Sequence, residues 1–591
     1  MRYAVDPRQK KLFDTDEMMF SPMAVKYMRR DWPGLFRTQI LHLMPVGRIA
    51  ARFHPTLGCP TKELYSMAGL IFLKEFFNLT IEEAVRRYIT DVSWHFALNV
   101  ATTEASMSHA TIERYMKYFV EDEIAAEVFH RVTSALIEAL ELDVSRQRLD
   151  STHVFSDMAT FGRSKLMGVA IKRFLTQLKR HHRDSYDELD DELRGRYAPS
   201  QAKMFADFTG ERKQLRQTVA EDLLFMVNHF AEDGAVANRA SYKAMARVLQ
   251  EQCEVSEEKV EVKDETDGES NDKPDGESQT KTVVEVKTKT GGNVMQNPSD
   301  PDATYDGHKG PGYQVQISET CVESNDVQLI TGVEVEAAHK SDQDALDPML
   351  DQLDEHGRVP EIMYADGGYG RDENELSTGK RGVDLQSPVG GTTPQNKDDL
   401  TVDDFVIDEQ SETVVRCPNG CQPQSSVHDA DAGRTTTVMR SADCAGCEFG
   451  SQCPVKRSGG RFVLHHTPAQ RRLAARRAEQ ATDAFKENYA IRAGGESVNS
   501  GLKRKTGMGR VRTRGRPRVS MAILFRCAGW NVMRALAALK KCGIRDFSVT
   551  AGALNRIAFG FCRRQTADKP LGVRQQPILS LFSSDLVLAA A

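Results

Sequence analysis

A chain of 591 residues that is 40% hydrophobic and 27% charged has apolar material for several cores, and its length suggests about three or four units rather than one. The net charge of -6 excludes a uniformly basic nucleic-acid binder, and eleven cysteines, scattered except for five between Cys417 and Cys453, fit reduced thiols better than a disulfide framework. Met1 to Lys11 is charged with no apolar leader behind it, and the longest apolar runs, near Leu70 to Phe77 and Leu586 to Ala591, are too short to span a bilayer, so the expectation is a soluble, cytoplasmic protein with no membrane partner.

Charge is segregated along the chain. Residues 251–292 carry 13 Asp and Glu against 6 Lys, while residues 492–518 carry nine Lys and Arg and only Glu496 as an acid. Phosphate affinity can therefore be local even though the average is acidic.

Residues 1–145 read as an all-helical unit. Leu64 to Phe77 is densely apolar, Thr80 and Glu83 form a capping-box pattern, and Ile112, Tyr115, Met116 and Phe119 share one face of a helix starting at Ser108. A basic outer face suits a helix-turn-helix-like DNA reader, although each helix alone is equally well explained by packing. A strand follows at Arg148 to Phe155, then a charged helical stretch, 162–252. The acidic run within 253–300 has no aromatic residue before Gly292 and reads as a disordered linker.

Beyond it, Gly312 to Cys321 and Val327 to Ala337 look like adjacent strands and Asp342 to His356 like a helix. Glu361 to Ala365 is a short buried strand ending in Asp366-Gly-Gly-Tyr-Gly, and Gly382 to Gln386 suits another. A turn-rich, cysteine-bearing segment, 391–466, interrupts this α/β core before helices resume from Pro468 to Cys542.

An aspartate ending a strand before Gly-Gly is ordinarily a turn residue. The odds change with Tyr489-Ala-Ile-Arg492-Ala-Gly-Gly-Glu496, which runs on to Lys503. At about 100° per residue, Tyr489, Arg492, Glu496 and Lys503 fall within roughly a 60° arc and make a row roughly 21 Å long. Gly494, Gly495 and Gly501 weaken such a helix and suggest close approach of a ligand.

The Y-x2-R-x3-E-x6-K spacing resembles the signature of bacterial insertion-sequence DDE transposases, and all four positions match. The Arg148-Leu-Asp-Ser-Thr-His153 block, the Asp300-Pro-Asp-Ala and His308-Lys-Gly-Pro-Gly-Tyr313 segments, and Tyr364-Ala-Asp-Gly-Gly-Tyr369 are similar to that family's blocks around its first two aspartates. The resemblance implies an RNase H-like mixed sheet flanked by helices, with Asp150, Asp366 and Glu496 as catalytic ligands of two Mg²⁺ or Mn²⁺ ions. It further implies that Tyr489, Arg492 and Lys503 grip phosphates of double-stranded DNA at transposon ends, and that the chain works as a homodimer on DNA. Asp157, Asp302, Asp306, Asp372 and Glu487 are the competing acids, read as surface or turn residues.

The implied organisation is a helical domain (1–145), a first core strand (146–161), a helical insertion (162–252), the linker (253–300), the core (301–390), the cysteine insertion (391–466), C-terminal core helices (467–545) and a tail (546–591). Cys417-x3-Cys421, Cys444-x2-Cys447 and Cys453 offer five thiolates for the four places of a structural Zn²⁺, with unliganded thiols as the alternative. Lys503, Arg504, Lys505, Arg510, Arg512 and Arg514 read as a DNA-backbone contact rather than a solvated arm. The alternatives to a transposase are an RNase H-like endonuclease without strand transfer and an inactive transposase-derived DNA-binding protein.

Overall fold

The computed structural model describes residues 1–9, 19–261, 278–390 and 399–547; most of the tail expected at 546–591 and the centre of the acidic stretch lie outside these. Its centre is a mixed sheet. Strand β1, Arg146–Val154, pairs antiparallel with β2, Gly310–Thr320, which pairs antiparallel with β3, Ile330–Ala337. On its other side β1 runs parallel to β4, Ile362–Tyr364, and β4 runs parallel to β5, Asp384–Gln386. The strand order is thus β3-β2-β1-β4-β5, and a short strand, Thr304–Asp306, adds to the outer edge of β2.

Register carries the first functional consequence. Arg146 stands opposite Ile362 and Arg148 opposite Tyr364, so the same parallel offset continued two residues further sets Asp150 level with Asp366. Parallel neighbours lie about 4.8 Å apart. Met363 and Tyr364 of β4 are buried and Ile362 is partly so, as expected of a strand covered on both faces.

The N-terminal helices begin where the residue pattern places them. Leu64–Phe76 is a helix with its apolar side chains buried, Thr80 and Glu83 close a reciprocal capping box on Ile81–Thr90, and Ser108 caps His109–Glu121. These helices do not form a core of their own. One apolar cluster runs from Leu35 through Phe129, Val315 and Val333 to Phe525 and Phe547, joining them to the sheet. The link is the helix Arg516–Lys541, which packs on Leu64–Phe76, Ile124–Leu140 and β3. This helix is long and apolar enough to cross a membrane by length and composition, so the expectation that every apolar stretch is too short needs correction. Its two interior arginines hid it from a count of uninterrupted runs, and 89% of its most apolar stretch is buried among other elements. Arg526 within it is fully enclosed and donates to the Glu75 and Gly507 carbonyls and to Asn78 Oδ1, satisfying the charge it buries.

Two units interrupt the core. Helices Arg163–His181, Arg212–His229 and Ala240–Gln252 pack around Phe174, Leu223 and Met245 as a separate cluster. The acidic stretch expected as a structureless linker departs from that reading. Cys253–Glu261 and Ser278–Val286 pair antiparallel, Cys253 opposite Val286, and Val284 is buried against the insertion. The alternating Val284 and Val286 gave that edge something to bury despite the surrounding charge. The second unit, 399–466, carries a two-stranded and a four-stranded sheet over a small core of Phe405, Val414 and Leu464.

Candidate active site

Asp150, Asp366 and Glu496 come from three distant stretches of chain and meet at one side chain. Asp150 leaves β1, Asp366 stands two residues past β4, and Glu496 opens the helix Gly494–Thr506. The Arg492 guanidinium donates to Asp150 Oδ1 at 3.1 Å and Asp366 Oδ2 at 3.5 Å, and lies 3.5 Å from Glu496 Oε1. Side-chain exposure grades across the trio, 14% for Asp150, 36% for Asp366 and 71% for Glu496, so the site opens to solvent on the Glu496 side.

Burial raises the Asp150 carboxyl above its ordinary pKa, Arg492 opposes that shift and Asp366 adds to it. Burial also works against the Arg492 charge, but Asp150, Tyr489, Asp366 and Glu496 outweigh it and hold the guanidinium above its usual value. Three acids in one pocket need a cation, and the arginine one helical turn before Glu496 is within reach. Arg492, expected to face phosphate, is therefore turned toward the carboxylates. Among the described residues no three His, Cys, Asp or Glu side chains already converge as a metal cage.

The helix expected to run unbroken from Tyr489 to Lys503 is broken. Asp483–Tyr489 ends, a 3₁₀ turn spans Ala490–Ala493, and Gly494–Thr506 follows. The tighter turn brings positions three apart into line, and Arg492 and Tyr489 interact electrostatically. The Tyr489 hydroxyl donates to the Ala365 carbonyl at 2.9 Å, which fastens this turn to the backbone beside Asp366.

Gly494 and Gly501 have a different cause from the one expected. A Cβ on Gly494 would lie inside the Arg148 guanidinium, and one on Gly501 would sit 2.5 Å from the Trp530 ring. Gly370 likewise clears the Pro388 carbonyl. They admit the protein's own side chains and backbone rather than a ligand. Arg148 in turn is held by Glu319 and donates to the Ile491 carbonyl at 3.1 Å, tying the 3₁₀ turn to the sheet.

Two neighbours escaped the sequence reading. Asn499 Nδ2 donates to Asp150 Oδ2 at 3.0 Å; it lies three residues after Glu496, on the helix face already picked out, so its phase was a usable signal. Asp342 Oδ1 accepts from Gln314 and Gln316, and its other oxygen lies close to Gly368. Gln316 also accepts from the fully buried Tyr369 hydroxyl. Nothing local in the sequence pointed to Asp342.

Four of the five competing acids are otherwise engaged, and Glu487 is exposed. Asp372 takes two bonds from Arg472, at 2.7 and 2.8 Å, Asp157 accepts from Arg514, Asp302 caps the Arg516 amide and Asp306 accepts the His308 and Lys309 amides. The basic run is stitched alongside the end of β1, with Phe155 N–H donating to the Gly509 carbonyl and Val511 N–H to the Phe155 carbonyl. Arg512 donates to the Asn78 carbonyl at 3.0 Å and Arg510 lies over the Phe155 ring. Arg504, Lys505, Arg510, Arg512 and Arg514 all remain exposed. Burial lowers the Lys503 pKa, with Lys309 adding repulsion and Asp150 opposing both.

Residues 416–536 match the family model described as a transposase DDE domain. The match takes in Cys417, Tyr489, Arg492, Glu496 and Lys503 and leaves Asp150 and Asp366 outside it. No curated protein and no solved structure matches the chain.

Proposed function

The chain carries a transposase DDE domain, and from that premise we propose that it cleaves DNA at transposon ends and joins the freed ends to target DNA, with Asp150, Asp366 and Glu496 as the acids that carry the chemistry. The convergence of those three carboxylates on one guanidinium is the observation that supports this reading most. The sheet order, three antiparallel strands extended by two parallel ones, supports an RNase H-like core.

The donor set is all carboxylate oxygen, gathered around a positive charge, and so suits hard divalent cations such as Mg²⁺ or Mn²⁺. When bound by Asp150, Asp366 and Glu496, such ions supply Lewis acidity for the attacking and leaving oxygens of a phosphodiester. The chain's own residues do the rest. Asn499 and the Ser151 amide fix the Asp150 carboxylate, and the Gly368 amide fixes Asp366. Tyr489 is a positioning residue, because its hydroxyl is committed to the Ala365 carbonyl. Arg492, released from the acids, is placed to meet a phosphate at the same spot. Lys503, which interacts with Asp150, and the exposed Arg504, Lys505 and Arg510 suit the DNA backbone. Joining two DNA ends calls for two copies, so the working form is a dimer on DNA.

Incubating the chain with Mg²⁺ and DNA carrying the element's own ends, intact or pre-cleaved, tests the reading. Nicked ends and joined products from the pre-cleaved substrate are expected, both lost in Glu496→Gln. Cutting without joining would reduce the protein to an endonuclease, and undiminished products from Glu496→Gln would remove the proposed site.

A further inference from the structure

Five thiols gather in the segment 399–466, away from the acids. Its buried apolar residues are Phe405, Val414, Met439 and Leu464, too few to hold two small sheets together unaided. Small units of this kind are commonly braced by a metal or by disulfides, and every cysteine among the described residues is a free thiol.

The local chain directs the thiols to one place. Cys417 N–H donates to the Cys421 carbonyl at 2.9 Å and Gly420 N–H to the Cys417 carbonyl at 2.8 Å, with Gly420 in the left-handed region at φ +78°, so the first pair sits on a tight reversal. Cys447 N–H turns back to the Cys444 carbonyl, and Gly450 N–H to the Cys447 carbonyl at 3.0 Å, bringing Cys453 round. Asn419 Nδ2 reaches Cys447 Sγ at 3.6 Å and bridges the two turns. All five cysteines line one cavity of about 20 Å³. That is room for one water-sized object and for no organic ligand.

The five are not equivalent. Cys417 and Cys453 pack against the small apolar core, and Cys444 interacts with Cys453, Cys417 and Cys447. The Cys421 thiol also faces Cys417 and Cys447, but it is the one that donates to a backbone carbonyl, that of Asn419, within its own reversal.

We propose that Cys417, Cys444, Cys447 and Cys453 hold one structural Zn²⁺ and that Cys421 stands outside the set. Thiolates and a four-coordinate site select zinc over the hard cations suited to the acids. The ion cross-links the turn after Val414–Arg416 to the turn before Lys456–Ser458. It thereby braces the strand Arg461–His466, which leads straight into the helix Pro468–Gln480. No three of the thiols already converge, so binding closes the cavity by side-chain rotation.

This inference is independent of DNA cleavage, because its readout needs no substrate. Elemental analysis of the full chain, purified without chelator or histidine tag, is expected to give about one zinc per chain. Cys421→Ser keeps it, and Cys444→Ser with Cys447→Ser lowers it at least about tenfold. Should the double variant fail to fold, Co²⁺ exchanged into the unaltered chain reports instead, through a thiolate charge-transfer band and the strong visible bands of a tetrahedral site. A chain that takes up neither zinc nor Co²⁺ overturns the proposal, as does equal zinc loss in Cys421→Ser.

Discussion

One Arg492 nitrogen lies 3.1 Å from Asp150 Oδ1 although 342 positions of sequence separate the two residues. The pairing makes the acids' mutual repulsion tolerable, and it gives the site a built-in counter-charge.

Replacing that charge is the first prediction. Arg492→Ala leaves three carboxylates facing one another, so the chain in chelator is expected to lose about 1–3 kcal/mol of stability. Millimolar Mg²⁺ should recover much of the loss and stabilise the variant more than the parent. Thermal melts with and without Mg²⁺ decide it; identical Mg²⁺ responses in the two chains would mean that the acids do not share a field.

Conservative neutralisation separates chemistry from folding. Asp150→Asn, Asp366→Asn and Glu496→Gln should each cut end cleavage by at least on the order of 10³-fold while leaving the melting profile nearly unchanged. Asp372→Asn is the contrast: it removes the charge and one of the two bonds from Arg472 and should lower stability with cleavage retained. Cleavage rates and melts on the same preparations make the comparison.

Gly501→Ala puts a methyl carbon 2.5 Å from the Trp530 ring. Overpacking of this kind costs about 1–3 kcal/mol. In a Trp530→Leu background the added methyl has room, so the two substitutions should be non-additive in urea unfolding. Additive losses would place the glycine's role elsewhere.

A pH effect follows from His130. Burial, with repulsion from His356 and Arg358, pushes its pKa from 6.5 down to about 3. The unfolded chain takes up a proton near pH 6.5 that the folded chain refuses, so this contribution is fully present above that pH and is lost as pH falls toward 3. Glu375 runs the other way: burial raises it to about 7 against the pull of Arg476, and its contribution is lost as pH climbs from 4.5 to 7. Subtracting the profile of His130→Asn from that of the parent isolates the histidine. The difference should grow by about 1.4 kcal/mol per pH unit below 6.5, and a flat difference would contradict the assignment.

Much of this was legible in local pattern. Asp150 and Asp366 could be paired because one lies in and the other just after a strand of mixed β-branched, aromatic or buried apolar residues, and Thr80, Ser108 and Glu83 announced their helix starts. What failed depended on partners far along the chain. The purpose of Gly494 is Arg148, that of Gly501 is Trp530, and neither pairing can be read from spacing. The direction of Arg492 depends on where the other acids fold, and Asp342 is held beside the site by Gln314 and Gln316 of a distant strand. The acidic ribbon was missed because its charge outweighed a few valines that the insertion was able to cover.

The insertion also dictates an order of events on the ribosome. Gln147 of β1 pairs with Thr320 of β2, so the central strand is finished long before its neighbour exists. At synthesis rates of about 5–20 residues per second, the delay is on the order of 10 s. Throughout that interval both hydrogen-bonding edges of β1 are unpaired, and the intervening helices can collapse around Phe174 and Leu223 first. Nascent chains halted between residues 160 and 300 are therefore the ones most in need of a holdase, and the ones in which a stray strand from another molecule could take the empty place.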